Sequence, residues 1–163
     1  MSHKRLLSLA AMVLLFAFPI SASMVSFMVV ETGLNEEAVS VPYTGIWEGG
    51  LMDVFFDAGH IVTNSPSTRI QKRPVRDFIG LLEDDYMEAV SGGAEYFILA
   101  YLEFKSSGGR AVPVRVTLKL YKTDSQRLVF EQNFAAGSGK DNNEEYRIAQ
   151  NAGRIMIPHL KDR

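Results

Sequence analysis

The sequence predicts an α/β domain of the α+β kind, a mixed β-sheet with helices packed on it. Three observations carry this. In residues 43–64, Trp47, Leu51, Val54, Phe55 and Ala58 recur at helical spacing and form one apolar stripe. Residues 24–31 (MVSFMVVE) and 95–105 (EYFILAYLEFK) are apolar on both faces, the mark of strands inside a sheet. Residues 110–122 alternate strictly. Val112, Val114, Val116, Leu118 and Leu120 face one way, and Arg115, Thr117, Lys119 and Tyr121 face the other.

The chain has 163 residues, 47% of them hydrophobic, which is one domain's worth of material with an additional segment at the front. His3, Lys4 and Arg5 precede an apolar run, residues 6–18, that is short for a bilayer span. Pro19 breaks it, and Ser21-Ala22-Ser23 supplies small residues for cleavage before Met24. The expectation is a secretory signal peptide over residues 1–23, one globular domain over 24–163, and a periplasmic or otherwise exported product. There is no cysteine, which excludes disulfides, thiol catalysis and a lipid anchor on a cysteine after the leader. Formal net charge is −2, and loss of Lys4 and Arg5 from 17 basic residues against 19 acidic ones takes it to about −4. An acidic domain without a basic cluster is a poor partner for nucleic acid.

In chain order, strand 24–31 leads through a polar connection to the helix of the stripe. Thr44 suits its N-cap, and Gly59 its left-handed stop before a short strand, His60-Ile61-Val62-Thr63. Pro74 suits the first position of a second helix with Val75, Phe78, Ile79, Leu82, Tyr86, Ala89 and Val90 on its apolar face. Glu83, Asp84, Asp85 and Glu88 then fall late in that helix, against its dipole, where Arg69, Lys72, Arg73 or Arg76 would compensate. Three strands follow, 95–105, 110–122 and 127–134, as an antiparallel meander. A last helix is capped near Asp141 or Asn142, and Ala149, Ala152 and Gly153 allow its close approach to the sheet. The order is β-α-β-α-β-β-β-α.

No catalytic motif survives inspection. Gly137-Ser138-Gly139-Lys140 suggests a phosphate loop, but Phe134 stands where the first glycine belongs and Asp141 where Mg²⁺ needs a hydroxyl. Asp53 and Asp57 share a helix face with His60 one step beyond. They are the alternative, a metal-assisted or acid–base hydrolase. No cofactor is indicated. Phe56 falls off the main stripe, and with Arg115, Lys119 and Tyr121 it makes the candidate contact set for a protein partner or for self-association. The pattern leaves open whether Tyr96, Tyr101, Tyr121, Arg115 and Lys119 line a binding face or the layer under a helix.

The opening strand MVSFMVVE, the stretch GIWEGGLMDVFFDAGHIVTN and the meander followed by NNEEYRIAQNAGRIMIPHL resemble, in order and periodicity, a group of bacterial envelope domains. These are the TolB amino-terminal domain, the curli-secretion protein CsgG and the penicillin-binding-protein activator LpoB. The resemblance implies an envelope setting and a non-enzymatic adaptor, secretion component or activator; an oligomeric subunit of a secretion or motility apparatus is a separate alternative. The chain departs from the group in lacking a lipoprotein cysteine and a following propeller, and no functional residue carries over.

Overall fold

The computed structural model describes residues 22–34, 43–107 and 110–161. Apart from Ala22 and Ser23, the expected leader lies outside these residues, as do most of the polar connection before the first helix and the glycines of the turn after Ser107. Strands β1 (Met24–Thr32), β2 (Ile61–Asn64), β3 (Thr68–Ile70), β4 (Tyr96–Ser107), β5 (Arg110–Lys122) and β6 (Arg127–Ala135) form one mixed sheet. Its order is β2-β1-β4-β5-β6, and β3 pairs with β1 beyond the end of β2. β1 is parallel to β2, β3 and β4, whereas β4, β5 and β6 form the antiparallel meander. Helix α1 (Tyr43–Asp57) and helix α3 (Asn142–Met156) cover one face, and α2 (Leu81–Ser91) covers part of the other.

Alternation in the strands sorts the core into two layers. Val25, Phe27 and Val29 of β1, Ile98, Ala100 and Leu102 of β4, and Val116, Leu118 and Leu120 of β5 meet Trp47, Leu51 and Phe55 of α1. Met28, Val30, Phe97, Leu99, Tyr101 and Tyr121 point the other way, to Leu82 and Tyr86 of α2. β1 and β4 are therefore apolar on both sides because both sides are covered.

The structure corrects several expectations. The second helix does not begin at Pro74. Gly80 sits at φ 60° and ψ −130°, outside helical geometry, so the helix starts only after it. Residues 74–80 instead form an irregular strap, with Val75 and Ile79 exposed rather than packed. Glu83 and Asp84 consequently fall in the first turn of α2, where its dipole favours them. Of the four cations named as compensating, Arg69 pairs with Glu31 and Arg73 with Glu131 instead. Thr44 lies inside α1 and its hydroxyl donates to the buried Glu31 carboxylate, while Ala58 is past the helix end and exposed. A register shift between Glu103 and Phe104 pairs Phe104 with Pro113. That bulge breaks the alternation of β5, so Pro113 is buried while Val112 is exposed.

The small residues of α3 serve helix-on-helix packing, not approach to the sheet. A Cβ on Gly50 of α1 would lie 2.8 Å from the Ala149 Cβ and 3.0 Å from the Tyr146 carbonyl oxygen of α3. Gly50→Ala is therefore expected to cost about 2 kcal/mol through overpacking, read as a lower urea midpoint at unchanged slope. An unchanged midpoint would show that α1 and α3 separate freely.

Candidate functional site

The strap is built from the inside out. Asp77 and Phe78 turn toward the sheet, while Val75, Arg76 and Ile79 turn to solvent. Phe78 enters an aromatic cluster, with ring centroids 4.2 Å from Tyr86 and 4.7 Å from Tyr121. Asp77 accepts hydrogen bonds from the Lys119 ammonium, the Tyr121 hydroxyl and, at 3.0 Å, the Tyr101 hydroxyl. Lys119 also lies 3.7 Å from Glu131, which pairs with Arg73 at 3.3 Å. The Arg73 guanidinium in turn sits 4.7 Å above the Tyr101 ring. β4 and β5 thus meet the strap at one carboxylate, and β6 joins through Glu131 beside Lys119.

The ionisation of this hub suits holding rather than reacting. Burial pushes the Asp77 carboxyl up, but hydrogen bonds from Lys119 and Tyr121, the Lys119 charge and the Tyr101 hydroxyl outweigh it and keep it below its ordinary 3.8. Burial and the Asp77 carboxylate push the Tyr101 and Tyr121 hydroxyls far above their ordinary range. At neutral pH, Asp77 is a fully engaged acceptor and a weak base, and the tyrosines are weak acids. General acid–base work needs the reverse.

The contact candidates are divided by the fold. Lys119 and Tyr121 are buried beneath the strap around Asp77. Arg115 is exposed two positions along the same face of β5, with its Nε 3.0 Å from Glu103. Phe56 is 70% exposed at the end of α1, on the opposite layer. The alternative set does not close into a centre. Asp53 accepts from the Tyr146 hydroxyl, Asp57 faces solvent, and His60 is half-buried with its ring 6.2 Å from Phe55. Among the described residues, no group of three His, Asp or Glu side chains is placed to hold a metal ion.

Two carboxylates that sequence reasoning passed over organise the rest. Glu31 binds Thr44 and Arg69, tying β1 to α1 and β3. Glu145 is buried and accepts from the Trp47 indole at 2.8 Å and from the Gly137 and Gly139 amides at 2.8 and 3.0 Å. The glycine loop that resembles a phosphate loop therefore turns its amides on the protein's own carboxylate. Asp141 caps α3 by accepting from the Glu144 amide at 2.8 Å, as its position before the helix predicts.

Beside the hub, a groove of about 280 Å³ opens between the end of β1, residues 71–73 just before the strap, β4 and β5. Gly33, Lys72, Arg73, Glu103, Arg115 and Thr117 are among its lining residues. Gly33 has φ 79°, and a Cβ there would come within 2.4 Å of the Phe104 carbonyl oxygen, so the position admits only glycine. A second groove of about 220 Å³ lies between β2 and α2 and includes Thr63, Ser65 and Glu88.

No family model and no curated protein sequence matches the chain. Solved structures similar to it include the PelC dodecamer from Paraburkholderia phytofirmans, at 13% identity and TM-score 0.49, covering 87% of this chain and 90% of that one. TolB from Acinetobacter baumannii is similar at 11% identity and TM-score 0.45, over 86% of this chain but 28% of TolB. Lipoprotein GNA1162 from Neisseria meningitidis is similar at 12% identity and TM-score 0.45, over 84% of this chain and 98% of that one. These are likenesses of fold alone. Among the described residues no helix is long and apolar enough to cross a membrane.

Proposed function

We propose that this is an exported, non-enzymatic domain of the bacterial envelope that works by binding another protein, and that the strap is its contact surface. The observation that carries the reading is the inverted strap. Its polar and aromatic residues, Asp77 and Phe78, are inside, while Val75 is fully exposed and Ile79 about half exposed. A loop that spends its carboxylate on anchorage and leaves its aliphatic side chains in water fits a contact surface held ready for a partner. Lys119 and Tyr121 then belong to the binding surface as its mount, and Arg115 as its neighbour. Export rests on the pattern of residues 1–23.

Val75→Asp and Ile79→Asp provide the test. Both side chains lie at the surface, so each change is expected to leave stability within about 0.5 kcal/mol while weakening the partner complex by at least about tenfold. Binding is measured between purified proteins, with the partner taken from stoichiometric co-purification. Undiminished binding by both variants contradicts the assignment of the strap.

A second reading has its own observation. β6 is nine residues long and, among the described residues, pairs on one side only, with β5, which leaves a sheet edge available to another copy. Light scattering of the purified protein separates a subunit of a larger assembly from a monomeric adaptor.

A further inference from the structure

We infer that the groove beside the hub is a binding site for an anionic, oxygen-rich group, a phosphate or carboxylate carried on a small ligand. The protein as a whole is acidic, yet three cations from two separate segments line this groove, Lys72 and Arg73 from the stretch just before the strap and Arg115 from β5, against one lining carboxylate, Glu103. Glu131, the partner of Arg73, lies outside the groove. Lys72 has no ion-pair partner among the described residues. Arg73 is balanced by Glu131 and Arg115 by Glu103, so the unbalanced charge is that of Lys72, set in a concave site, which concentrates anions.

The existing pairs do not block such a ligand. Arg115–Glu103 is a solvent-accessible contact, and pairs of that kind are worth little, while Arg73, tied through Glu131 to Lys119, keeps further guanidinium donors. Two guanidinium groups and an ammonium suit an oxyanion far better than two separate surface carboxylates, because each fork presents parallel donors to paired oxygens. At about 280 Å³ the groove is at the small end of ligand pockets, which run from roughly 300 Å³ upward, so it fits one charged group with a short attachment. Gly33 keeps one end of the groove in place, since any side chain there would collide with the Phe104 carbonyl.

The test is amide NMR of the protein as purified from the cell, titrated with sodium phosphate and, at matched ionic strength, with sodium chloride. The expected result is saturable movement of the Gly33, Lys72, Arg73 and Arg115 amides with phosphate alone. Lys72→Glu with Arg115→Glu is expected to weaken it by at least about tenfold, while Lys105→Glu, an exposed reversal outside the groove, leaves it unchanged. Sedimentation with phosphatidylglycerol–phosphatidylcholine vesicles, lost in the double variant, would make the source of the group a lipid headgroup. Phosphate shifts without sedimentation would make it a soluble ligand. Shifts no larger than with chloride and no sedimentation, or effects untouched by the double variant, overturn the proposal, and neither result bears on the strap as a protein-binding surface.

Discussion

Replacing Asp77 with alanine is expected to destabilise the protein by about 3 kcal/mol, because it leaves the buried Lys119 charge and two tyrosine hydroxyls without their common acceptor. The nearby Glu131, 3.7 Å from Lys119, recovers part of the loss and keeps the value from rising further. Lys119→Met on the Asp77→Ala background should regain some stability, since it removes the stranded charge. Urea unfolding of the single and double variants measures this, and strict additivity of the two losses would contradict the hub. The pH dependence has a fixed sign. The folded Asp77 binds its proton less readily than the unfolded one, so its contribution is fully present above about pH 4 and fades as pH falls through the lowered value. The stability gap between wild type and Asp77→Asn should therefore narrow below about pH 4. A gap equally wide at pH 7 and in acid would mean that Asp77 contributes no charge.

The second large effect is at Glu145. Glu145→Ala is expected to cost about 3 kcal/mol, because the Trp47 indole and the Gly137 and Gly139 amides all lose their common acceptor. Water can reach the two loop amides, which are only partly buried, so the cost stays below the sum of three isolated deletions. Glu145→Gln keeps an acceptor oxygen and should cost about half as much. Trp47 is the sole tryptophan, so its fluorescence reports on unfolding and on the altered indole environment. A Glu145→Ala protein with wild-type midpoint and emission would contradict the assigned role.

What the sequence made legible was whatever repeats along one element. The α1 stripe and the two-sided strands β1 and β4 follow from periodicity, and the meander follows from turn residues such as Thr123 and Asp124. The strap was misread for a physical reason. Val75, Phe78, Ile79 and Leu82 are spaced as a helix face, and nothing local announces that Gly80 adopts a geometry that interrupts it. The β5 bulge was hidden in the same way, since the apolar alternation runs unbroken through Val112 and Val114 in the sequence. Lys119 and Tyr121 stood out as polar members of an alternating strand, but their common partner is 42 and 44 residues away on an irregular segment. Glu145 is 98 residues from Trp47, beyond the reach of any spacing rule. Phe56 was legible because a single residue off a helical stripe faces solvent by geometry alone.

The most direct measurement is photo-crosslinking in living cells with a benzophenone side chain at position 75 of the strap. A matched chain carrying the same probe at Gln132, exposed on β6, serves as the comparison. The account predicts one abundant envelope protein joined through position 75 and not through position 132, with the adduct lost when Ile79 is changed to aspartate. No adduct at position 75, or the same adduct from both positions, would contradict the strap as the surface through which this domain acts.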